Sequence, residues 1–267
     1  MYVPVTDNGE PYYSEGFAVR LYKTDGTEWV ANFQPGWTDL KEIIEFENSE
    51  NLLVIACGTC YLMNPDDTNP IENNSIAAIA SRTPDLSILV DALERTDLVE
   101  TLDQSGPYTV FAPTNAAFTA FLSANGFANL DAVPTAALKE ILLNHVVNGT
   151  NLSTGLTTGY VKTLAKGSAS STNTLSMFIN TESGVRLNGV SSVTTADITA
   201  NNGVIHVVDA VIGLPTIVTH ATANPNFSDL VGALTAEGQP DVVGILSGTA
   251  SSPFTVFAPS NAAFATF

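Results

Sequence analysis

Three histidines, His145, His206 and His220, and one Cys-x-x-Cys, Cys57-Gly58-Thr59-Cys60, have the widest chemical repertoire in this chain. An imidazole could act as general base or metal ligand, and a thiol pair could carry redox chemistry or bind a soft metal. Neither pattern is completed by its neighbours. His145 and His206 each stand before Val-Val, the entry to a buried strand, where a ring is usually consumed by backbone hydrogen bonds. No Ser or Cys is spaced with them as a nucleophile. Cys57 follows an apolar run and precedes Tyr61-Leu62-Met63, so it lacks the helix N-terminus that lowers a redox thiol's pKa. With no second Cys pair, a four-ligand zinc site would need distant partners. Cys57 and Cys60 therefore read as structural thiols or a local disulfide, with a redox pair and a metal site as the other readings. Gly155 and Gly159 lack the Lys of a phosphate loop. The expectation is a non-enzyme: no catalytic residue, no metal, no cofactor.

Charge narrows the partners. The 267 residues carry 27 acidic and nine basic side chains, net −18 at pH 7, with no Lys or Arg beyond Arg186. Nucleic acid is excluded, since phosphate contacts need clustered cations, and an anionic membrane surface is excluded for the same reason. No apolar run reaches the ~18 residues of a membrane span. An acidic surface stays soluble and can gather divalent cations. The residues after Met1 show neither a basic n-region nor an apolar stretch, and the expectation is a fragment of a longer secreted chain. Asn73, Asn148, Asn151 and Asn226 head Asn-x-Ser/Thr triplets, glycosylated only in a eukaryotic secretory route.

The elements are organised by a repeat. Thr-Val-Phe-Ala-Pro-Thr-Asn-Ala-Ala-Phe at 109–118 returns at 255–264 with Ser260 for Thr114, and a period this sharp is read before local structure. Thr109, Val110 and Phe111 favour a buried strand, Pro113 ends it, and Thr114 or Asn115 can cap the helix that follows. Upstream, Thr83 caps a helix with Pro84 at its first position, and Leu86, Leu89, Val90 and Leu93 form an apolar stripe. A further helix starts at Thr135 after Pro134. Strands are expected at 161–164, 174–179, 184–187, 190–194, 198 and 204–212. Helices early and strands late mean α+β. Residues 1–64 read as four or five antiparallel strands: 17–22 and 28–33 around Asp25-Gly26, 40–46 and 52–56 as a second hairpin, and 61–63 as its extension. The expectation is an antiparallel β segment over 1–64, as part of a truncated β domain. Residues 65–74 read as a linker.

The decapeptide resembles the first signature of fasciclin (FAS1) domains. Ile141-Leu142-Leu143-Asn144-His145-Val146-Val147 is similar to the family's Tyr-His segment, with Asn144 in the Tyr position. Residues 202–212, Asn-Gly-Val-Ile-His-Val-Val-Asp-Ala-Val-Ile, resemble its closing strand. The resemblance implies a complete domain over 75–214, a truncated second copy over 216–267, and a β sandwich or wedge with helices packed at one side. By the same resemblance, Asn144 and His145, and the Asp-Ile pair Asp197 and Ile198, are adhesion candidates. The implied protein is extracellular or on the cell surface and binds matrix, polysaccharide, a surface protein or another copy of itself. The alternative is a set of tethering modules for a larger β-propeller enzyme or sensor.

Overall fold

The computed structural model describes residues 74–267 apart from 104–105, 248–252 and 267, together with strand backbones between residues 3 and 71. The chain forms two units, Met1–Asn73 and Asn74–Phe267. In the first, β1 (Val3–Val5), β2 (Phe17–Tyr22) and β3 (Glu28–Phe33) make one antiparallel sheet. A second sheet contains β4 (Leu40–Glu45), β5 (Leu52–Ala56), β6 (Thr59–Met63) and β7 (Pro70–Ile71). Both expected hairpins pair antiparallel. One reading changes: Pro70–Ile71, inside the stretch taken as linker, pairs with Leu62 and Met63. Cys60 stands in β6 opposite Ile55. Cys57 and the Asp25-Gly26 turn lie outside the described residues, and with Cys57 goes the disulfide expectation.

The second unit begins with α1 (Ile76–Ser81), a 3-10 turn (Pro84–Leu86), α2 (Ser87–Arg95) and α3 (Val99–Asp103). Ser75 caps α1 by accepting from the Ala78 N–H. Thr83 makes no cap bond; its hydroxyl donates back to the Ile79 carbonyl. The apolar stripe holds, with Leu86, Leu89 and Leu93 buried and Val90 half-buried. Next come β8 (Tyr108–Pro113) and α4 (Asn115–Ala124). Thr114 is the cap of α4, while Asn115 has another task. Its Oδ1 accepts from the Ile88 N–H at 2.9 Å, and its Nδ2 donates to the Pro84 carbonyl and the Ser87 hydroxyl at 3.0 Å each. One amide thus fixes the start of α4 against the start of α2.

Then follow α5 (Thr135–Leu143), β9 (Val146–Asn148), β10 (Gly159–Lys162), β11 (Ser176–Asn180), β12 (Arg186–Leu187), β13 (Ser191–Ala200) and β14 (Gly203–Val208). The last stretch carries α6 (Ile217–Ala223), a 3-10 turn (Pro225–Phe227), α7 (Ser228–Thr235), α8 (Val242–Ser247) and α9 (Asn261–Phe264). The unit is α+β, with one seven-stranded mixed sheet in the order β10-β11-β12-β13-β14-β8-β9. Only β14 and β8 are parallel among these pairs. The sheet curls until its two ends meet: Val147 bridges Thr163, and the Leu164 N–H donates to the Val146 carbonyl at 2.9 Å. Curling covers both edges, which would otherwise offer unpaired backbone to other chains.

Strand alternation then makes two interiors from one strand. Val110 and Ala112 of β8 join the cluster under the helices, with Leu89, Leu93, Phe118, Leu138 and Leu142. Phe111 points the other way, into the curl, with Met177, Ile179, Leu187, Val208 and Ile212. The parallel pairing needs a close backbone approach at its start. Gly203 has φ +150°, and a Cβ there would sit 1.9 Å from the Tyr108 carbonyl oxygen. Gly203→Ala should therefore lower the unfolding free energy by about 3 kcal/mol or more in urea titration, whereas Gly159→Ala, with open space around it, should stay within about 0.5 kcal/mol.

Candidate functional site

The expected site residues Asn144 and His145 form the turn between α5 and β9, and both are buried. Asn144 closes α5, its N–H donating to the Glu140 and Ile141 carbonyls. Its Nδ2 donates to the Gly213 carbonyl at 3.1 Å and the Ile212 carbonyl at 3.4 Å, while its Oδ1 accepts from the Thr163 hydroxyl. His145 grips the same exit segment. The Ile212 N–H donates to Nε2 at 2.9 Å. Nε2 is therefore the unprotonated nitrogen, and Nδ1–H donates to the Ile141 carbonyl at 2.8 Å. Burial pushes this imidazole down to about 4, against a smaller opposing pull from the Ile141 bond. These two residues latch the chain after β14 onto the chain before β9. Both side chains are buried, and the bonds they make give Asn144 and His145 a fold-holding place.

Asp197 and Ile198 lie in β13, where the register with β14 slips twice between Val193 and Ile198. Asp197 takes a left-handed φ of 63°, and its N–H leaves the ladder to donate to His206 Nδ1 at 3.2 Å. With Nδ1 accepting, Nε2–H donates to the Asn151 carbonyl at 2.9 Å. Phe111 stacks on the His206 ring at 5.4 Å. The Asp197 carboxylate accepts from the Ser153 N–H at 2.7 Å and from its hydroxyl at 2.5 Å. Those two bonds, the hydroxyl's first, hold its carboxyl below the usual range, with a lesser contribution from His206 and against some desolvation. Ile198 pairs with Ile205 and packs at the margin of the helix-side interior.

Ser153, Asp197 and His206 are the residue types of a hydrolytic triad, but their wiring is different. In a working triad the hydroxyl faces the imidazole. Here the hydroxyl is spent on the carboxylate, and His206, fully buried, is spent on backbone. What this arrangement does is hold the loop between β9 and β10. Asn151 adds a third tie, its N–H and Nδ2 both donating to the Thr109 hydroxyl. Between those anchors the loop lifts Leu152 to 41% exposure. Sequence reading singled out His206 and Asp197, while Asn151 and Ser153 showed only as the ends of an Asn-x-Ser triplet in a turn-rich stretch without periodicity. His220, the third imidazole, lies on α6 with the Tyr160 ring edge-on at 5.5 Å, and burial followed by Lys162 lowers its pKa. Among the described residues no group of three or more His, Cys, Asp or Glu could hold a metal ion, and no helix is long and apolar enough to cross a membrane.

Residues 84–215 match the family described as Fasciclin domain. Protein sll1483 of Synechocystis sp. is 38% identical over 138 residues, which are 52% of this chain and 72% of that protein. Periostin of Homo sapiens is 29% identical over 195 residues, 71% of this chain and 21% of periostin. The cell surface glycolipoprotein MPB83 of Mycobacterium bovis is 36% identical over 109 residues, 37% of this chain and 47% of that protein. The chain thus spans most of the first relative and a fifth to a half of the other two.

The pH behaviour follows from His145. Between pH 6.5 and about 4 the unfolded chain takes up a proton that the folded chain refuses. Stability should be flat above pH 6.5 and should fall as the pH drops through that window, by ~3 kcal/mol for this one group. Urea midpoints at pH 7.5 and 4.5 measure it, and His145→Gln should remove most of the slope while lowering stability at pH 7.5. A second expectation concerns the loop. Asp197→Ala should raise the amide exchange rate of Ser153 by more than about tenfold, leaving β8 protection unchanged.

Proposed function

Because the chain belongs to the fasciclin-domain family, we propose that residues 75–214 are a non-enzymatic adhesion body, working outside the cell or on its surface and binding matrix, polysaccharide, a surface protein or another copy of the chain. The observation that carries this reading is the fate of the reactive side chains. His145 and His206 are buried and hydrogen-bonded to backbone, and Ser153 is committed to Asp197. What remains for partners is the exterior, and the best-prepared part of it is the loop carrying Leu152. An apolar side chain raised on a loop fixed by hydrogen bonds binds with little ordering cost. Asp197, a third exposed at its side chain, contributes its position and the loop's rigidity, and Ile198 supports it from the interior. Nucleic acid does not fit a chain with 27 acidic and nine basic side chains. The name of MPB83, a cell surface glycolipoprotein, agrees with the proposed location.

A second reading is favoured by the separate antiparallel unit, Met1–Asn73: the fasciclin body tethers a larger β-propeller enzyme or sensor. Solid-phase binding of the 267-residue chain to matrix proteins, to polysaccharides and to itself separates the two. Adhesion requires saturable binding that Leu152→Ser weakens by about five- to tenfold, the loss of one exposed apolar contact. Binding to none of the three surfaces would leave only the tether.

A further inference from the structure

The surface left unexplained lies in residues 216–267. Phe257 is 92% exposed, its neighbour Val256 is exposed, and Val256 lines an apolar groove with Ile217, Leu230 and Leu234. An apolar groove with an exposed aromatic at its rim marks a surface that another body covers. The chain itself carries the pattern of that cover. The order α6, Pro225–Phe227, α7, α8, α9 repeats the order α1, Pro84–Leu86, α2, α3, α4. The Asn115 clamp returns with every partner in place: Asn261 Oδ1 accepts from the Asp229 N–H at 3.1 Å, and its Nδ2 donates to the Pro225 carbonyl and the Ser228 hydroxyl at 2.9 Å. Those partners lie 141 residues after Ile88, Pro84 and Ser87. Two stretches that share both a sequence and a three-bond clamp can be read against each other, and the difference between them is the strand that forms at 108–113 and not at 254–259.

In that correspondence Phe257 matches Phe111, which is 1% exposed. What buries residues 110–112 in the first stretch is plain. β14 runs parallel on one edge of β8, β9 runs antiparallel on the other, and α5 sets Leu138, Ile141 and Leu142 in the same cluster as Ile76, Leu89 and Leu93. In the second stretch Ile217, Leu230 and Leu234, the counterparts of those last three, line an apolar groove of about 420 Å³ together with Val256. Residues 253–259 have strand-like sequence and no ladder pairing among the described residues.

We infer that this face, formed by α6, α7 and residues 254–258, is the docking face for a helix-and-strand layer with the chemistry of residues 135–212. Its helix presents Leu, Ile and Leu at the spacing of 138, 141 and 142. Its strand runs parallel to residues 255–259 with branched apolar side chains, as Gly203–Val208 does beside β8. The interface established in the first stretch sets the chemistry of the second. The inference does not depend on the adhesive role.

The test completes the face with the chain's own layer. A second copy of residues 122–215 is joined after Phe267, which matches Phe121. Hydroxyl-radical footprinting should find Phe257 more than about tenfold less reactive than in the parent chain, as an exposed ring becomes interior. Binding of an apolar dye should fall in parallel, and Phe257→Asp in the extended chain should restore the dye signal. A soluble, folded extension that leaves Phe257 as reactive as before would overturn the inference. If the extension is insoluble, a synthetic peptide of residues 200–213 titrated onto the parent chain decides: displacement of the dye supports a parallel strand on this face, and no displacement at millimolar peptide sinks it. Protection of Phe257 in the parent chain alone, rising with its concentration and matched by a dimer in sedimentation, would mean that a second copy occupies the face instead.

Discussion

A single buried hydrogen bond, from the Ile212 N–H to the His145 imidazole, holds the fasciclin body closed. The chain leaves β14 and must turn back over the mouth of the curled sheet, where Ile212 fills the interior beside Phe111 and Met177. Backbone N–H groups in such a place cannot be left unpaired without a cost of about 1–3 kcal/mol each. An imidazole accepts there and donates to the Ile141 carbonyl with its other nitrogen. Asn144 meets the neighbouring carbonyls of Ile212 and Gly213. The pair works only while the ring is neutral, which burial ensures at neutral pH by keeping its pKa near 4. The joint sets Ile212 in the interior and the end of α5 against β9, beside the Val147–Thr163 bridge that closes the sheet.

The second polar joint uses the same residue types for a different end. His206 accepts from a backbone N–H that the β13 bulge has freed, and Asp197 then turns its carboxylate to Ser153. A bulge re-aims a side chain, and here the re-aimed group anchors a loop. Residues that on paper could be nucleophile, acid and base are each occupied in holding backbone. That occupation fits a body whose work is done by its exterior, through rigid loops and apolar projections.

The repeated helical stretch shows that the clamp does not need the sheet. Asn261 reaches Pro225, Ser228 and Asp229, 32 to 36 residues before it, while residues 253–259 pair in no ladder among the described residues. Burial of Phe111 needs the whole curl, drawn from strands up to residue 208. Helical half and sheet half thus differ in the range of the contacts that form them, as short-range and long-range contacts do in other folds.

What the sequence determined by itself was therefore the short-range part. The helix starts at Asn115 and Asn261, the apolar stripe of α2, the start of α5 after Pro134 and the alternation of the late strands are all set by neighbours within a few positions, and they survive into the structure, whereas residues 255–259 pair in no ladder among the described residues. So does the interior fate of His145 and His206, since Val-Val after an imidazole makes a strand entering a core. Tertiary structure decided the rest. Asn115 looked like a helix cap because its local sequence is that of one, yet its partners lie 27 to 31 residues away. Asn151 and Ser153 showed only an Asn-x-Ser triplet and nothing of their structural task, because that task comes from Asp197 and Thr109, more than 40 residues distant. Asn144 stood out only through the resemblance, and its grip on Ile212 and Gly213, 68 and 69 residues away, came with the fold. Hydrogen bonds between positions far apart leave no period in a sequence, and only the folded chain says which side chains are free.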